Sequence, residues 1–506
     1  MGVSKRKLDR LRRKVAERKV TGVARTCRHQ IFEVRQVRRT YNRREGKFSF
    51  NISYSTAVAL TPRTTAVAEA FGLGIDEEYK FTVLDVELKI GPQDITYVTG
   101  DSGSGKSVLL RAIKLDLGDE AIDLSEVRIE ADKPLIETVG ATVEEGLDLL
   151  SRVGLNDAFL FLRTYNQLSD GQKYRYKIAK LMESKAQFWI LDEFAATLDR
   201  DTAKIVAFNL QKCARQQGRA VLAATTHVDL FEDLKPNVHV HKRFGKEITV
   251  NYHPNASPTE CSLIKEMRVE EGSAADWKEL AAFHYRSHRT SPPRRIFRLK
   301  RGDELCGVVV YSYPPPACFG RRLMLPKMDM KEVNKKVSSI SRVVVHPKYR
   351  TVGLGAKLIR ESLPLAGTEC VEMSAVMARY NPFAEKAGMK KIVEQAPSKE
   401  ALKIVEVLQG LGFETQFLNS SKHVLTKLRD LKNEDIATIR EVFMKYRHPR
   451  FLKSFSYDLP FGTKEAYRER IMDACLEKLA HLIKICGFLM QAKVYLFWSK
   501  DQIRKP

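Results

Sequence analysis

The spacing of apolar residues divides the chain into segments that predict alternating strands and helices. Residues 1–20 place apolar side chains on one face of a helix, whereas the alternation over residues 31–60 indicates two or three strands. Thr61-Pro62 predicts the start of a short helix ending near Ala70. Apolar runs predict further strands at residues 81–90, 95–99, 188–191, 220–225, 262–269, 340–345 and 368–379, and a pair of strands within 295–311. Strands separated by helical segments indicate an α/β fold.

The last part of the chain is dominated by helical patterns. Residues 401–411 and 466–489 have the apolar periodicity of helices. Residues 482–498 form a long apolar run, but Lys484 and Lys493 interrupt it with charge. A membrane span needs a longer uncharged stretch, so this run predicts a buried or partner-facing helix, and no membrane insertion is expected.

One strand-to-helix transition carries a specific phosphate-binding pattern. Residues 100–107 fit G-x-x-x-x-G-K-[ST], with an apolar strand before them and an apolar helix after them. Glycines let such a loop aim backbone N–H groups at phosphate oxygens, at the positive end of the following helix. The lysine reaches the β- and γ-phosphates of ATP, and the next serine is a ligand for Mg²⁺. The predicted nucleotide-binding residues of this P-loop are Gly100, Ser102, Gly103, Gly105, Lys106 and Ser107.

Four further elements follow the P-loop in a recognisable order. Leu-Ser-Asp-Gly-Gln at residues 168–172 opens a helix, and an apolar strand ends in Asp192 and Glu193. Thr-Leu-Asp at residues 197–199 comes next, and another apolar strand leads to His227. This order resembles that of the ABC-type ATPase family, whose corresponding elements are the signature, the Walker B strand, the D-loop and the switch histidine. The resemblance covers roughly residues 75–250.

The resemblance implies a role for each of these residues. Asp192, together with Ser107, would hold Mg²⁺, and Glu193 would polarise the attacking water as general base. His227 would bridge that glutamate and the γ-phosphate. In the family, the signature binds the γ-phosphate of a second protomer, which implies an ATP-dependent head-to-tail homodimer. The signature residues assigned to this contact are Ser169, Gly171 and Gln172.

Two departures from the family pattern affect how the ATPase would signal to a partner. Only roughly 60 residues separate Ser107 from the signature, which is too few for a large helical subdomain. No glutamine stands where the family's Q-loop lies, and Glu137 is a possible replacement.

A second phosphate-binding loop is predicted much later in the chain. Residues 350–355 follow an apolar strand and resemble the [RQ]-x-x-G-x-[GA] motif of GNAT acetyltransferases, and residues 381–389 resemble that family's next helix. The resemblance implies an acetyl-CoA site built from Val343, Val345, Arg350, Gly353, Gly355, Ala356 and Asn381. Ala384 occupies the position of the family's usual catalytic tyrosine, and residues 341–345 carry no carboxylate base. Transfer would then depend on proximity and water relays, or the domain would bind acetyl-CoA and transfer poorly.

Charge adds a candidate partner to this picture. The 506 residues carry a formal net charge of +24, and residues 1–44 contain sixteen Lys/Arg against three acidic residues. Such a basic arm suits nucleic acid or a ribonucleoprotein, although it would also be stable as a solvated helix. The eight cysteines are scattered without a CxxC pair, which favours free thiols in the cytoplasm over a disulfide framework or a zinc site.

Together these features predict five regions. They are a basic arm with a small β-rich region at 1–74, an ABC-type ATPase at 75–252, a linker at 253–262, a GNAT-like domain at 263–396 and a basic α-rich region at 397–506. The predicted function is ATP-driven dimer closure coupled to acetyl-CoA-dependent N-acetylation on nucleic acid or a ribonucleoprotein. Two alternatives remain: a nucleic-acid clamp or translation or repair factor whose GNAT fold only senses acetyl-CoA, and the ATPase subunit of a transporter.

Overall fold

A computed structural model describes residues 20–21, 32–56, 61–73, 80–284, 291–376, 378, 381–455 and 463–500. Most of the helix predicted over residues 1–20 lies outside the described residues, as does most of the basic arm before residue 32. Within the described part of the chain, no helix is both long and apolar enough to cross a membrane.

The first sheet is antiparallel and has four strands in the order β1-β2-β3-β4. The strands are β1 (Val20–Thr21), β2 (Phe32–Asn42), β3 (Lys47–Thr56) and β4 (Lys80–Lys89), and helix α1 (Pro62–Ala70) lies between β3 and β4. The strands predicted over residues 31–60 and the helix starting at Thr61 are confirmed. Because β3 pairs along its length with β4, this sheet joins the residues on either side of the predicted boundary at 74/75.

The second sheet carries the P-loop and has the strand order β10-β9-β5-β8-β7-β6. Its strands are β5 (Ile95–Thr99), β6 (Ala121–Asp123), β7 (Phe188–Leu191), β8 (Ala220–Thr225), β9 (Val238–Lys242) and β10 (Ile248–Tyr252). The helices around it are α2 (Lys106–Leu117), α3 (Val143–Arg152), α4 (Ala158–Phe161), α5 (Asp170–Glu183), α6 (Arg200–Gln217) and α7 (Phe231–Leu234). Strands β5, β8 and β7 are parallel neighbours and almost wholly buried, which is why each is a short continuous apolar run.

The third sheet has seven strands in the order β11-β12-β13-β14-β15-β17-β16. The strands are β11 (Met267–Glu271), β12 (Pro293–Arg301), β13 (Glu304–Ser312), β14 (Val337–Val345), β15 (Cys370–Ala375), β16 (Lys390–Gln395) and β17 (Lys493–Ser499). The helices that accompany them are α8 (Ala274–Leu280), α9 (Arg321–Met324), α10 (Met330–Lys336), α11 (Leu354–Ser362) and α12 (Phe383–Lys386). Among the described strands of this sheet, only the pair β14 and β15 is parallel; the other neighbours are antiparallel.

Between β16 and β17 the chain leaves the sheet and forms a bundle of helices, here called the helical insert. Its helices are α13 (Lys399–Gly410), α14 (Ser421–Asp430), α15 (Asn433–Lys445), α16 (Pro449–Lys453), α17 (Lys464–Met472) and α18 (Leu476–Leu489). The bundle has its own apolar core. Since β17 pairs with both β15 and β16, the chain beyond residue 396 both forms this bundle and completes the third sheet.

Three predicted elements differ from the observed ones. The helix predicted over 482–498 is wrong for its second half, because α18 ends at Leu489 and β17 follows. The aromatic and β-branched side chains of β17 fill a slot between two strands, and that pairing overrides helical continuation. The strand predicted at 262–269 begins instead as a 3₁₀ helix at Ser262–Glu266. The helix predicted at 466–489 is interrupted between Met472 and Leu476.

Candidate functional site

The P-loop leaves the buried strand β5 and is shaped by three glycines. Gly100, Gly103 and Gly105 have φ angles of 142°, 75° and 105°, which side-chain-bearing residues rarely adopt. A Cβ atom on Gly100 would lie 1.9 Å from the carbonyl oxygen of Lys242, and one on Gly105 would lie 2.6 Å from a methyl group of Val83. Backbone conformation and space therefore both require glycine at these two positions.

The start of α2 presents the donors that a nucleotide phosphate requires. Lys106 is the first residue of α2, and its Nζ donates to the carbonyl oxygens of Gly100 at 2.8 Å and Asp101 at 2.6 Å. Burial lowers the pKa of Lys106, against the opposing influence of Asp192, Asp101 and Glu193. The Ser104 hydroxyl is buried without a hydrogen-bond partner among the described residues, and Ser102 is exposed. An unpartnered hydroxyl, a cation and the free N–H groups of a helix start fit a polyphosphate.

The two carboxylates predicted at the Walker B strand lie directly beyond the buried strand β7. Glu193 has a φ angle of 51°, and its backbone N–H donates to Asp192 Oδ1 at 3.0 Å. The Glu193 side chain is exposed. The next residue holds this turn against β8, because Phe194 N–H donates to the Ala224 carbonyl at 2.6 Å. A non-glycine residue held at positive φ costs about 1 kcal/mol or more, a strain that such sites use to aim a side chain.

Sheet register brings the P-loop, the carboxylates and the histidine to one edge of the sheet. Thr99 of β5 is opposite Thr225 of β8, and Leu191 of β7 is opposite Ala223 of β8. The loops that follow these parallel strands therefore emerge side by side, as ligand-binding loops do at the carboxyl edge of such sheets. The structure thus places the turns that carry Lys106, Asp192 and His227 next to one another.

Two hydrogen bonds position the backbone of His227. Its N–H donates to Thr225 Oγ1 at 3.2 Å, and the Tyr97 hydroxyl of β5 donates to its carbonyl oxygen. Burial raises the pKa of Tyr97, which keeps this phenol a donor. The oxygens of Ser107 and Asp192 are of the type that Mg²⁺ prefers, so the donor set fits that ion.

The signature opens α5, and its Ser169 and Asp170 are exposed, whereas Gly171 and Gln172 are partly buried and Leu168 is buried. Ser169 N–H donates to Gln172 Oε1 at 3.0 Å, and the side chain of Asp170 is 98% exposed. Gly171 lies beside the D-loop, since a Cβ atom there would be 3.8 Å from the Thr197 carbonyl oxygen. Within the described residues, no hydrogen bond or ion pair joins the signature to the P-loop of the same chain. Glu137, the candidate for the Q-loop position, is exposed in the 3₁₀ helix Leu135–Glu137.

The third sheet opens into a cleft between its two parallel strands. Strands β14 and β15 pair only where Val337–Ser339 meets Cys370–Glu372, and the remaining residues of β14 have no partner on that side among the described strands. A register shift at Ser341 marks a bulge on the other side of β14. An open strand edge with unpaired N–H and C=O groups is a surface onto which an amide-bearing chain can bind, and the pantetheine arm of acetyl-CoA is such a chain.

The predicted acetyl-CoA loop enters helix α11 at this cleft. Gly353 caps α11 with a φ angle of 97°, and Thr351 has a φ angle of 77°. A Cβ atom on Gly353 would meet nothing within 4 Å, so the conformation requires glycine and the space in front of it is open. Of the remaining predicted cofactor residues, Ala356 is buried, Val343, Val345 and Gly355 are partly buried, and Asn381 is exposed.

Arg350 has a different set of contacts from the phosphate contact that the motif suggested. Its guanidinium donates to the carbonyl oxygens of Val345 at 2.9 Å, Asn156 at 2.9 Å and Phe283 at 3.1 Å. Burial lowers the pKa of Arg350, and the opposing influence of Asp157 is smaller. In this structure the Arg350 side chain therefore fixes the loop to its surroundings, and the backbone N–H groups near Gly353 remain the predicted phosphate donors.

The sequence has Ala384 where the GNAT family usually has a catalytic tyrosine, and residues 341–345 carry no carboxylate base. The Ala384 side chain is buried in the core below α11 and does not line the cleft. Glu372 of β15 is also fully buried, and its carboxylate is bound by Arg321 at 2.6 and 3.0 Å and by the Tyr495 hydroxyl at 3.0 Å. Glu372 is thus part of a structural ion pair.

Helix α6, which follows the D-loop, packs into the core of the third sheet. Its Ile205 and Phe208 belong to the same apolar cluster as strands β12 to β15. Asp201 on the same helix binds Arg301 at 2.8 Å and Lys348 at 2.6 Å. Burial alone raises the pKa of Asp201, but hydrogen bonds from these two cations outweigh it and lower that pKa.

A second set of polar contacts reaches the acetyl-CoA loop itself. Asn209 of α6 donates to Thr351 Oγ1 at 3.0 Å and to the Arg152 carbonyl at 2.8 Å. Asn156, beside α4, donates to the Pro347 carbonyl at 3.3 Å. No pattern along the chain indicated these residues. The only hint in the sequence was Asn209, a polar residue on an otherwise apolar face of a helix, and such a residue does not show which group it contacts.

Comparison with known proteins matches this division of the chain. Residues 261–389 match the acetyltransferase (GNAT) family model. Phosphonates import ATP-binding protein PhnC 1 of Cupriavidus metallidurans is 30% identical over an alignment 241 positions long, and the match covers 38% of this chain and 82% of that protein. Lipoprotein-releasing system ATP-binding protein LolD 1 of Caulobacter vibrioides is 30% identical over an alignment 190 positions long, and the match covers 30% of this chain and 80% of that protein.

Among solved structures, the chain is similar to the dimeric post-hydrolysis state of the ATP-binding cassette MJ0796 bound to ADP and Pi. That match is 18% identical with a TM-score of 0.29, and it covers 36% of this chain and 95% of the other. The family assignment rests on the 30% identity to the two ATP-binding proteins, of which the match covers four fifths or more, and on the match to the GNAT family model. The chain belongs to the ABC-type ATPase family and joins that ATPase to a GNAT-family acetyltransferase domain.

Proposed function

We propose that ATP-driven closure of a head-to-tail homodimer controls acetyl-CoA-dependent N-acetylation of an acceptor carried on nucleic acid or a ribonucleoprotein. The observation that carries the proposal is the direct contact between helix α6 and the acetyl-CoA loop, through Asn209 and Thr351. The same helix begins immediately after the D-loop at Asp199. The nucleotide site and the acetyl-CoA loop therefore share one rigid element.

Dimer closure is supported by the exposure of the signature. Ser169 and Asp170 are exposed at the start of α5, a helix N-terminus of the kind that binds anions, and no hydrogen bond or ion pair among the described residues joins them to the P-loop of the same chain. A second copy would supply its γ-phosphate to this site, with Mg²⁺ on Ser107 and Asp192 of that copy. The D-loop lies beside the signature, so closure would act on α6 from its first residue.

The proposed acetyl transfer would take place at the open cleft between β14 and β15. Acetyl-CoA held there would supply a thioester: the acceptor amine would form the new C–N bond as the C–S bond breaks, and the proton from nitrogen would pass to the CoA sulfur. The splayed strands and the loop at Gly353 fit the cofactor, as described above. Because Ala384 is buried and Glu372 is paired, proton transfer would pass through water, and positioning would supply most of the acceleration.

The nucleic-acid partner is supported by the charge of the arm, but only by part of it. Arg39 and Arg43 form ion pairs with Asp116 and Glu120 of the ATPase, so these two cations have structural partners. The basic blocks before residue 20 lie outside the described residues. They are the cations proposed to contact phosphates.

Two specific observations favour the alternatives. The absence of a catalytic side chain at Ala384 favours a clamp whose GNAT fold senses acetyl-CoA, and a lack of acetyl transfer despite acetyl-CoA binding would support it. The relatives are named as ATP-binding proteins of import and release systems, which favours a transporter subunit. Co-purification with a membrane protein would support that alternative.

The coupling is tested by measuring the acetyl-CoA Kd with and without ATP. In a Glu193→Gln background, ATP is expected to change this Kd by about 5- to 150-fold, the usual range for coupled sites. The Asp201→Asn/Asn209→Ala double variant should bring the ratio of the two Kd values close to one, because it removes the polar contacts between α6 and the loop region. Isothermal titration calorimetry measures both constants.

Asp276→Asn is the matched control for this test. Asp276 is a similarly buried carboxylate paired with Arg298, but its pair lies within the GNAT domain. It should leave the effect of ATP unchanged. An unaltered Kd ratio in the double variant would refute coupling through α6.

The acetyl-CoA site is tested separately by Gly353→Ala. A residue other than glycine at φ 97° costs about 1–2 kcal/mol, so acetyl-CoA binding should weaken by about 5- to 30-fold if this loop must keep its conformation to bind phosphate. Gly302→Ala is the control, since Gly302 has a φ angle of 57° in open space at the turn between β12 and β13. Equal acetyl-CoA affinity in both variants would place the cofactor elsewhere.

A further inference from the structure

The helical insert is attached at the open end of the acetyl-CoA cleft. Strands β14 and β15 diverge toward Ala375, and Ala375 is the register partner of Val494 at the start of β17. The base of the insert is closed by a hydrogen bond from Ser398 N–H to the Leu489 carbonyl at 3.2 Å. Phe488 is six residues before Val494, so the two Cα atoms are at most about 20 Å apart. The end of α18 is therefore within about 25 Å of Ala375, at the open end of the cleft.

An open cavity of about 300 Å³ lies between α16 and α18 of the insert. This volume is at the lower end of the range for small-ligand sites. One side of the cavity is cationic and polar and the other is an apolar wall. The cationic and polar side is lined by Arg450, Lys453 and Ser454, and the wall is lined by His481, Ile485 and Phe488. No acidic residue of the described chain lines the cavity.

The cationic part of this cavity lacks neutralising carboxylates. Arg450 and Lys453 are exposed, and within the described residues neither forms an ion pair. His481 has a lowered pKa because of burial and because Lys478 and Lys484 stand near it on α18. Arg450 and Lys453 line the cavity, two further lysines flank His481 on α18, and no acidic residue of the described chain lines the cavity, so its charge favours an anionic ligand.

The apolar wall adds an aromatic surface beside these cations. His481, Ile485 and Phe488 share one face of α18, at helical spacing. Phe488 is 42% exposed, although the rest of that helix contributes strongly to the core of the insert. Lys478 does not cover it, because its ammonium group donates to the Ser454 carbonyl and lies over the ring of Phe455. An exposed aromatic ring beside exposed cations is the arrangement by which proteins bind single-stranded nucleic acid through base stacking and backbone charge.

We propose that this cavity, here called the insert cavity, binds a phosphodiester through Arg450 and Lys453 and stacks the adjacent base of a single-stranded nucleic acid on Phe488. The inference rests on the proposed function, and it assigns the place where the acceptor strand is held. An acidic peptide would satisfy the cations but would leave the ring unused. Because α18 leads into β17, which borders the cleft, a nucleic acid bound in the insert cavity would be held near the cleft.

The test measures binding of the full chain to a fluorescein-labelled twelve-nucleotide single strand by fluorescence anisotropy, with RNA and DNA probes and a duplex of the same sequence. Arg450→Gln/Lys453→Gln should weaken single-strand binding and reduce the slope of log affinity against log salt by about 0.7 for each phosphate that is no longer neutralised. Phe488→Ala should weaken binding about 5- to 100-fold with an unchanged salt slope.

Matched controls come from α17, which does not line the cavity. Lys464→Gln/Arg468→Gln removes two exposed cations, and Met472→Ala removes an exposed apolar side chain. Both should bind like the wild-type chain. The melting temperature of each variant separates a binding defect from a folding defect. Because the substituted side chains are exposed, each variant should melt at about the wild-type temperature.

The outcomes separate this inference from the proposed function. Wild-type binding that disappears on neutralising Lys5, Arg6 and Lys7 but persists in the cavity variants overturns the insert cavity and leaves the basic arm as the nucleic-acid site. No binding by the wild-type chain overturns both. Tighter binding of an acidic peptide or of anionic vesicles than of the single strand, sensitive to the same variants, overturns the assignment of nucleic acid as the occupant.

Discussion

Glu193→Gln is expected to reduce ATP hydrolysis by about 10²- to 10⁴-fold while ATP binding is retained, because the variant loses the general base but keeps the P-loop. Glu193 directly follows the buried strand β7, so its turn lies at the same edge of the sheet as the P-loop and the turn that carries His227. Phosphate release and nucleotide-binding assays measure the two effects separately. Lys106→Ala, the control, should lose ATP binding as well.

The same variant tests the proposed dimer and its cargo. With hydrolysis blocked, ATP should convert the chain to a dimer that is visible by light scattering, and Ser169→Arg should prevent this by obstructing the anion site at the start of α5. Nucleic acid and acetylated proteins should co-purify with Glu193→Gln above the level seen with Lys106→Ala. If Glu193→Gln hydrolysed ATP at the wild-type rate, Glu193 would not be the general base. If neither nucleic acid nor acetylated protein co-purified, the proposed acceptor would be contradicted.

Arg321→Met is expected to destabilise the chain by about 3–5 kcal/mol, since it leaves the buried carboxylate of Glu372 without its cation. Glu372 is fully buried, and Arg321 is 9% exposed. Arg321 also donates to the Pro315 carbonyl at 2.8 Å, so the substitution would loosen the segment that covers this face of the sheet. Urea unfolding followed by circular dichroism measures the change.

The double variant Arg321→Met/Glu372→Gln is the informative control for this pair. Removing both charges should recover much of the stability, because the penalty comes from the uncompensated carboxylate. Arg295→Met, which breaks an exposed hydrogen bond to the Leu365 carbonyl, should cost less than about 1 kcal/mol. A small effect of Arg321→Met, similar to that of Arg295→Met, would show that water reaches Glu372.

Local sequence patterns predicted the loops of this protein well, for a physical reason. Gly100, Gly105 and Gly353 occur where the backbone has a positive φ angle, and only glycine adopts that conformation at little cost. The strands β5, β7 and β8 were predicted because burial on both faces requires a continuous apolar run. The nucleotide-binding and acetyl-CoA-binding roles assigned to these loops remain predictions.

Sequence motifs did not predict the roles of side chains whose partners lie far away along the chain. Arg350 fits a phosphate-binding motif, yet its guanidinium binds three carbonyl groups, one of them from Asn156, nearly two hundred residues earlier in the chain. Asp201 has the position of an ordinary acidic residue in the first turn of a helix, yet it forms ion pairs with Arg301 and Lys348. A side chain's partner is set by tertiary packing, which spacing along the chain does not encode.

The sequence by itself determined the two nucleotide-type loops, the order of the ABC elements and the GNAT motif, because each depends on residues within a few positions of one another. Only the tertiary structure decided that β17 returns to the third sheet after the helical insert, and that α6 packs against both the core of the ABC-type ATPase and the core of the third sheet. Strand pairing and helix packing join residues a hundred or more positions apart. Their free energy comes from burial that exists only once the chain is folded.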